Sequence, residues 1–204
     1  MLVPKMNLAE IRKEIDKDFE IVVRKSLFVL KDLKKKHAPL RQKRIIEVYD
    51  YFSKFKNNWI FKWDVDKKVT LPVYLVWYIG DRGLTAIQAF PNGPSLFYYT
   101  SHYFKRYNER LNLEINDPKK LLHVFMENHL AYSFQYLEEI APGVWKFFAY
   151  TKNGVALGTY IQAQDCYKMN TFITHDMLKG DQKEMETFKK AELDKYLATY
   201  HKLD

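Results

Sequence analysis

Three side chains that could carry acid–base and phosphate chemistry, His102, Arg106 and Arg110, occur at intervals of four residues. On a helix this spacing places them along one stripe, because residues four apart are neighbours on its surface. A histidine can give or take a proton near neutral pH, and guanidinium groups can hold a phosphate through paired hydrogen bonds. Cleavage of a phosphodiester beside a 2′-hydroxyl needs such an acid or base, together with cations that stabilise the charge on the phosphate.

The same segment carries a second, apolar stripe, made of Tyr103, Phe104, Tyr107 and Leu111. The two stripes predict a helix with its apolar side buried, so that the His102 stripe either faces water or lines a cleft. Glu109 could be a partner of His102, although it lies one helical step off the stripe. The alternative is an ordinary surface, on which Glu109 pairs with a neighbouring cation.

The last predicted strand, from Tyr167 to Thr174, continues into a helix and offers polar groups of another kind. Thr171 and Thr174 would lie on opposite faces of a regular strand. A strand-to-helix junction also leaves backbone N–H groups free, and these bind phosphate well. His175 could be a second acid or base there, but a role as a cap or as a neighbour of the cap is favoured.

The pattern His-x-x-x-Arg-Tyr-x-Glu-Arg on a helix, then a helix and an antiparallel meander ending in Thr-Phe-Ile-Thr, resembles the layout of a known class. These are small metal-independent ribonuclease toxins and their phage-borne relatives, the barnase–colicin–RelE-like class, and the resemblance covers about residues 99–178. It implies that a helical His/Arg set and polar residues of the central sheet act on the RNA backbone. Carried over by position, the helix set is His102, Arg106 and Arg110, and the sheet-end position is Thr171 or Thr174. The N-terminal third of the chain has no counterpart in that layout.

The elements that must position these residues begin with two predicted helices. Asn7 followed by Glu10 is a capping-box start, and a long run of apolar residues at helical spacing follows it. A second helix is predicted from Ile45 to about Lys56, because its apolar residues also recur at helical intervals. Since the connection is short, the two helices would form an antiparallel basic hairpin over residues 1–58.

After residue 58 the sequence becomes β-branched and aromatic, with turn signals between its segments. Strands are predicted at Ile60–Val65, Val69–Ile79, Leu84–Phe90, Tyr132–Glu138, Val144–Tyr150, Val155–Ile161 and Tyr167–Thr174. Helices are predicted to start near Thr100 or Ser101, at Asp117–Pro118 and near Asp176. The sequence thus predicts an α+β protein in which an N-terminal helical hairpin precedes an antiparallel sheet, or meander, with flanking helices. Residues 59–204 would form the α+β domain, unless the whole chain is one continuous domain.

The net charge of +8 is concentrated in the first third of the chain. Residues 1–68 hold 18 Lys and Arg against 10 Asp and Glu, whereas residues 69–204 hold 15 of each. The densest part, from Lys31 to Arg44, would attract a polyanion such as RNA, the ribosome, anionic lipid or an acidic protein. The alternative is a solvated pair of helices with surplus lysine.

Other kinds of chemistry find little support in the sequence. Cys166 is the single cysteine, so neither an intrachain disulfide nor a cysteine-based zinc cluster can form. His123 and His129 are six residues apart, which separates them around a helix, and no phosphate-loop, dinucleotide or nucleophile-elbow motif occurs. We therefore expect neither a metal nor a cofactor.

The cellular setting is also an expectation from the sequence. The N-terminus becomes charged too soon for a signal peptide, and no apolar run approaches the roughly 18 residues of a membrane span. These features predict a soluble, cytoplasmic protein without a membrane partner.

Two functions are predicted. The first is a metal-independent endoribonuclease-like protein, a toxin or phage-derived, with RNA or the ribosome as its partner and an acidic protein as its inhibitor. The alternative is a non-catalytic nucleic-acid- or protein-binding module of a phage or mobile element. Catalysis would require the His102 stripe and Thr171 or Thr174 to converge in one cleft, within about 10 Å.

Overall fold

The computed structural model describes residues 1–37, 44–66, 70–91, 93–128 and 132–202. The helices are α1 (Leu8–His37), α2 (Ser101–Arg110), α3 (Pro118–Asn128) and α4 (Asp181–Lys202). The strands are β1 (Arg44–Phe52), β2 (Asn58–Asp66), β3 (Thr70–Gly80), β4 (Gly83–Phe90), β5 (Gly93–Tyr99), β6 (Ser133–Ala141), β7 (Val144–Thr151), β8 (Gly154–Ile161) and β9 (Cys166–Ile173).

The strands form one nine-stranded sheet in the order β1-β2-β3-β4-β5-β9-β8-β7-β6. Neighbouring strands are antiparallel except β5 and β9, which run parallel at the centre of the sheet. The predicted α+β class, the antiparallel sheet and the closing meander of four strands are therefore confirmed.

The predicted second helix of the N-terminal hairpin is wrong, because residues 44–52 form β1 instead. This strand pairs with β2 from Arg44 opposite Asp66 to Phe52 opposite Asn58, so the boundary predicted at residue 58 falls inside a β-hairpin. Val48 packs against the core on one face of the sheet, whereas Tyr49 and other residues pack against the core on the opposite face. Because both faces of β1 carry apolar residues, their spacing imitates that of a helix.

Helices cover both faces of the sheet. The face covered by α2 and α3 is called the α2 face, and its buried residues include Ile60, Leu75, Ala86, Tyr99, Tyr103, Tyr107, Phe125, Phe147, Met169 and Phe172. The opposite, α1 face carries two clusters. One joins α1 to the first half of the sheet through Ile11, Ile15, Val22, Trp59, Phe61, Tyr74 and Val76. The other joins α4 to the second half through Phe148, Tyr150, Val155, Leu178 and Leu193.

The start of α1 confirms the predicted capping box. The backbone N–H of Asn7 donates to Glu10 Oε2 at 2.8 Å, and the N–H of Glu10 donates to Asn7 Oδ1 at 3.0 Å. Further along α1, the buried Asp18 Oδ2 accepts from Asn57 Nδ2 at 2.8 Å and from Trp59 Nε1 at 3.0 Å. These bonds hold α1 on the turn between β1 and β2.

The last helix begins later than predicted. A short 3₁₀ turn at His175–Met177 follows β9, and α4 starts only at Asp181. Gly180, with a φ of +50°, redirects the chain before α4, a conformation that glycine adopts without steric cost. Thr174 and His175 therefore belong to a connecting turn.

Candidate functional site between α2 and β9

Thr100 fixes the start of α2 against β9. Its Oγ1 accepts from the backbone N–H of Tyr103 at 3.1 Å, which is the predicted N-cap. The same hydroxyl contacts the carbonyl oxygens of Met169 and Asn170, each at 3.1 Å. The cap therefore sets both the first turn of the helix and its position beside the strand.

Beside the second half of β9, α2 lies where β5 has ended. The pairing of β5 with β9 ends at Tyr99 opposite Met169, but β9 continues to Ile173. Backbone groups on that edge need other partners, since a buried carbonyl without a hydrogen bond is costly. The hydroxyl of Thr100 and the side chain of Arg110 supply donors to this edge.

Arg110 is the member of the predicted stripe that contacts β9 directly. Its Nη1 donates to the backbone carbonyl of Phe172. Burial is the first cause that lowers the pKa of Arg110, and the charge of Arg106 is the second. Its contact is with the protein backbone, which assigns Arg110 to holding α2 on the strand.

Arg106 lies in the middle of the stripe and is half-buried. Its Nη1 donates to Glu109 Oε2 at 2.8 Å, and Lys105 Nζ lies 3.9 Å from the other carboxylate oxygen. Glu109 is thus paired with cations, as the ordinary-surface alternative predicted. The Nε of Arg106 is buried and lacks a hydrogen-bond partner within the described parts of the chain.

His102 is exposed at the first turn of α2. Tyr103, Phe104 and Tyr107 point into the core of the α2 face, so His102 lies on the side of the helix turned away from that core. Across the residues that the structure describes, it has neither a hydrogen bond nor an ion pair. Glu109 does not orient it, because that carboxylate binds Arg106.

An irregularity in β9 decides where Thr171 points. The register with β8 shifts between Gly158, opposite Met169, and Leu157, opposite Thr171, so that Asn170 is an extra residue. Phe172 consequently lies in the core of the α2 face. Thr171 shares the α1 face with its partner Leu157, which packs against the α4 cluster.

Thr174 and His175 lie beyond the end of β9. The hydroxyl of Thr174 bonds to Asp176, which is the first cause that lowers the pKa of this carboxyl group. Nδ1 of His175 lies 2.7 Å from Glu186 Oε1 on α4, and Nε2 lies 3.2 Å from the carbonyl oxygen of Lys152. His175 thus lies between α4 and the β7–β8 turn, although Nδ1 is near Glu186 without making a hydrogen bond to it.

The structure adds Lys168 to the candidate residues. It lies on β9 between Tyr167 and Met169, both of which face the α2 side, so Lys168 lies on the α1 face, as Thr171 does. It is half-buried and has no ion-pair partner in the described segments. Alternation around Tyr167 could have placed Lys168 on this face, but sequence reasoning missed it because only the hydroxyl groups were considered.

The basic run predicted to attract a polyanion lies partly within α1. Its lysines Lys31, Lys34, Lys35 and Lys36 are exposed in the last turns of this helix. Residues 38–43 of the run lie outside the described residues. This run and the α2–β9 surface lie on different elements.

Metal and thiol chemistry find no support in the described segments. They contain no group of three or more His, Cys, Asp or Glu side chains arranged to hold a metal ion. Among them, too, no helix is both long and apolar enough to cross a membrane. Cys166 is buried, and burial raises its pKa to about 11, which keeps the thiol protonated at neutral pH.

No protein-family model matches the chain, and neither a curated protein nor a solved structure is significantly similar to it.

Proposed function

We propose that the protein cleaves RNA without a metal ion, at the surface formed by α2 and β9. The observation that supports this proposal is the direct packing of α2 along the free edge of β9. Through it, the helix of His102 and Arg106 borders the strand that carries Lys168 and Thr171. Because Lys168 and Thr171 point to the α1 face of β9, the proposal requires that the RNA backbone cross the edge where α2 meets the strand and contact His102 and Arg106 on one side of it and Lys168 and Thr171 on the other.

Each side chain has a role in this proposal. His102 would take the proton of the 2′-hydroxyl or protonate the leaving oxygen, because both of its nitrogens are free to bind a substrate. The Nη2 group of Arg106 and the ammonium of Lys168 would stabilise the phosphate charge. Thr171 would donate a hydrogen bond, and Arg110 would act as a positioning residue through the Phe172 carbonyl.

Cleavage of RNA would require an RNA substrate, a cytoplasmic location and a means of inhibition. RNA, free or within the ribosome, would be the substrate, which places the activity in the cytoplasm. An acidic protein that covers Arg106 and Lys168 would act as an inhibitor, since it would occupy the phosphate-binding groups.

A second candidate is a non-catalytic RNA-binding module. It is favoured by one observation, that among the described residues His102 has no neighbour that would fix its ring orientation and tautomer. Binding alone would need only the cations of α2, β9 and the C-terminal turns of α1.

The test compares the wild type with His102→Ala on total RNA in the presence of EDTA. Cleavage by the wild type and its loss in the variant, with an unchanged circular dichroism spectrum, is the expected result. His123→Ala is the matched control, because His123 is also near the surface but pairs with Asp50 at 3.1 Å. Binding of RNA with a steep salt dependence but without cleavage would establish the second candidate. Absence of both binding and cleavage would reject both.

A further inference from the structure

A cavity of about 730 Å³ lies away from the α2–β9 surface, between α3, strands β3 to β6 and the C-terminal part of α4. The helix α4 reaches it where it passes the edge strand β6, at the bond between Ser133 and Glu192. Phe90, Phe97, Phe125, Tyr132 and Phe134 supply much of its wall. Its volume is in the range of sites that hold small organic ligands. Nothing in the proposed RNA chemistry uses this cavity.

The aromatic walls are packed against one another. The ring of Phe97 contacts those of Phe90, Tyr132 and Phe134 at centroid distances of 4.9, 5.8 and 5.4 Å, each at a steep angle. Such edge contacts restrict the rings and leave flat, apolar surfaces toward the cavity. A planar aromatic molecule fits walls of this kind better than a flexible chain does.

Gln88 is one of the polar residues of the lining, and its amide oxygen lies at the end of a chain of hydroxyl groups. Tyr132 donates to the hydroxyl oxygen of Tyr99 at 3.1 Å, and Tyr99 donates to Gln88 Oε1 at 2.9 Å. In this arrangement the amide oxygen of Gln88 faces Tyr99 and accepts its proton. The Nε2 group is left to donate to a ligand, and it has no partner within the described residues.

The carboxylate of Glu192, which lines the cavity, already has hydrogen-bond and ion-pair partners within the protein. Glu192 Oε2 accepts from Ser133 Oγ and from Lys189 Nζ, both at 2.7 Å. A cationic ligand would therefore gain little from Glu192, and Lys195, the cation of the lining, also has an interaction of its own. The amide of Gln88 instead offers one directed hydrogen bond.

We propose that this cavity binds a neutral, planar heteroaromatic molecule whose ring nitrogen or carbonyl oxygen accepts a hydrogen bond from Gln88. The aromatic wall selects for shape, and the amide selects for the acceptor. This site is independent of RNA cleavage, so either proposal can fail without the other.

The test uses quinoline and naphthalene, which have the same shape but differ in one ring nitrogen. Binding is followed by the ¹³C-methyl NMR signal of Met126, which lines the cavity. We expect both probes to shift this signal, with quinoline binding about threefold to tenfold more tightly, as one net hydrogen bond allows. Equal affinities, or no shift with either probe, would overturn the proposal.

Two substitutions at Gln88 test the donor. Gln88→Glu keeps an acceptor for Tyr99 but removes the N–H donor, so quinoline should lose its advantage over naphthalene. Gln88→Met removes both polar atoms and should give equal affinities. A preference for quinoline that survives in both variants would contradict the role of Gln88.

A third variant tests the location and does not depend on the folding of the first two. Val73→Phe fills the cavity from a strand position where an aromatic residue is well tolerated. It should abolish the binding of both probes while thermal unfolding stays cooperative. Unchanged binding in Val73→Phe would place the probes elsewhere and reject the site.

Discussion

At the residue scale, the RNA proposals differ from an ordinary protein surface in what they predict for Lys168. This cation should bind an RNA phosphate. It shares a cross-strand row on the α1 face with Thr159 and Lys146. Lys146 is paired with Glu138, whereas Lys168 has no such partner in the described segments. We expect Lys168→Ala to lower RNA affinity about threefold to tenfold and to reduce the salt slope by about one.

The matched control for Lys168 is Lys146→Ala. Titration of a fluorescent single-stranded RNA at several salt concentrations measures both affinity and slope. Because Glu138 already compensates Lys146, its substitution should change the affinity little. Equal effects of the two substitutions would indicate that the row attracts RNA through its overall charge.

Lys62 has a property that the sequence did not reveal, since it is a fully buried lysine on a strand. Burial is the first cause that lowers its pKa, to about 8 from 10.5, against the opposing influence of Asp64. The folded state therefore releases this proton at a lower pH than the unfolded chain does. Lys62 by itself should therefore raise the free energy of unfolding between pH 8 and pH 9.5 by up to about 2 kcal/mol. Cys166, whose pKa burial raises to about 11, acts in the opposite direction over this range.

Urea unfolding of the wild type and of a Lys62 variant at pH 8.0, 8.75 and 9.5 measures this contribution as the difference between the two proteins, in which the other titrating groups cancel. Lys62→Met removes the titrating group and keeps an unbranched apolar chain. Relative to the wild type, the free energy of unfolding of the variant should fall by up to about 2 kcal/mol over the same range, because the variant lacks the contribution of Lys62. A rise of the same size in Lys62→Met would assign the pH dependence to another group.

At the element scale, the attachment of α2 to β9 depends on Arg110. Its loss would leave the carbonyl of Phe172 without its donor, whereas loss of Arg106 removes only a partly exposed pair with Glu109. We expect Arg110→Leu to lower the free energy of unfolding by about 1–3 kcal/mol. Arg106→Leu should change it by less than about 1 kcal/mol.

Urea unfolding measures both values, and amide hydrogen exchange locates the change. Exchange in α2 should accelerate in Arg110→Leu and stay slow in Arg106→Leu. If Arg106→Leu were the more destabilising of the two, the positioning role of Arg110 would be wrong.

The elements also show how far sequence patterns reach. Long periodic segments such as α1, and strands bounded by turns such as β7 and β8, follow from the spacing of apolar residues. The strand β1 does not, because as an edge strand with apolar residues on both faces it loses the alternation that marks a strand. Residues 44–52 are extended because they pair with β2. This contact is with a different segment, so the local sequence pattern does not show it.

The candidate site was predictable only in part, for a related reason. The helix of His102 and its cap at Thr100 follow from local residue types. The direction of Thr171 does not, since it depends on one extra residue, Asn170, in the pairing of β9 with β8. Likewise, the contact of Arg110 exists because β5 ends before β9 does, and strand lengths across a sheet are tertiary properties.

At the scale of the whole molecule, buried tyrosines join the sheet to the helices on both faces. On the α1 face, the hydroxyls of Tyr74 and Ser26 lie 2.7 Å apart and link β3 to α1. On the α2 face, Tyr99 and Tyr107 are fully buried against α3 and β9. Burial is the first cause that raises the pKa of Tyr74, Tyr99 and Tyr107. Both faces of the sheet therefore contain tyrosines that hold their protons to a higher pH than free tyrosine does.

This property predicts that the fold is lost cooperatively at alkaline pH. The folded state holds these phenol protons above pH 10, where the unfolded chain releases them, so the stability they contribute is complete below pH 10 and decreases above it. Each such tyrosine should steepen the fall in unfolding free energy between pH 10 and 11.5 by up to about 1.4 kcal/mol per pH unit. Urea unfolding, with phenolate absorbance at about 295 nm recorded in parallel, measures the slope. Tyr74→Phe should make this fall less steep, by up to about 1.4 kcal/mol per pH unit. An unchanged slope would show that Tyr74 ionises equally in the folded and unfolded states.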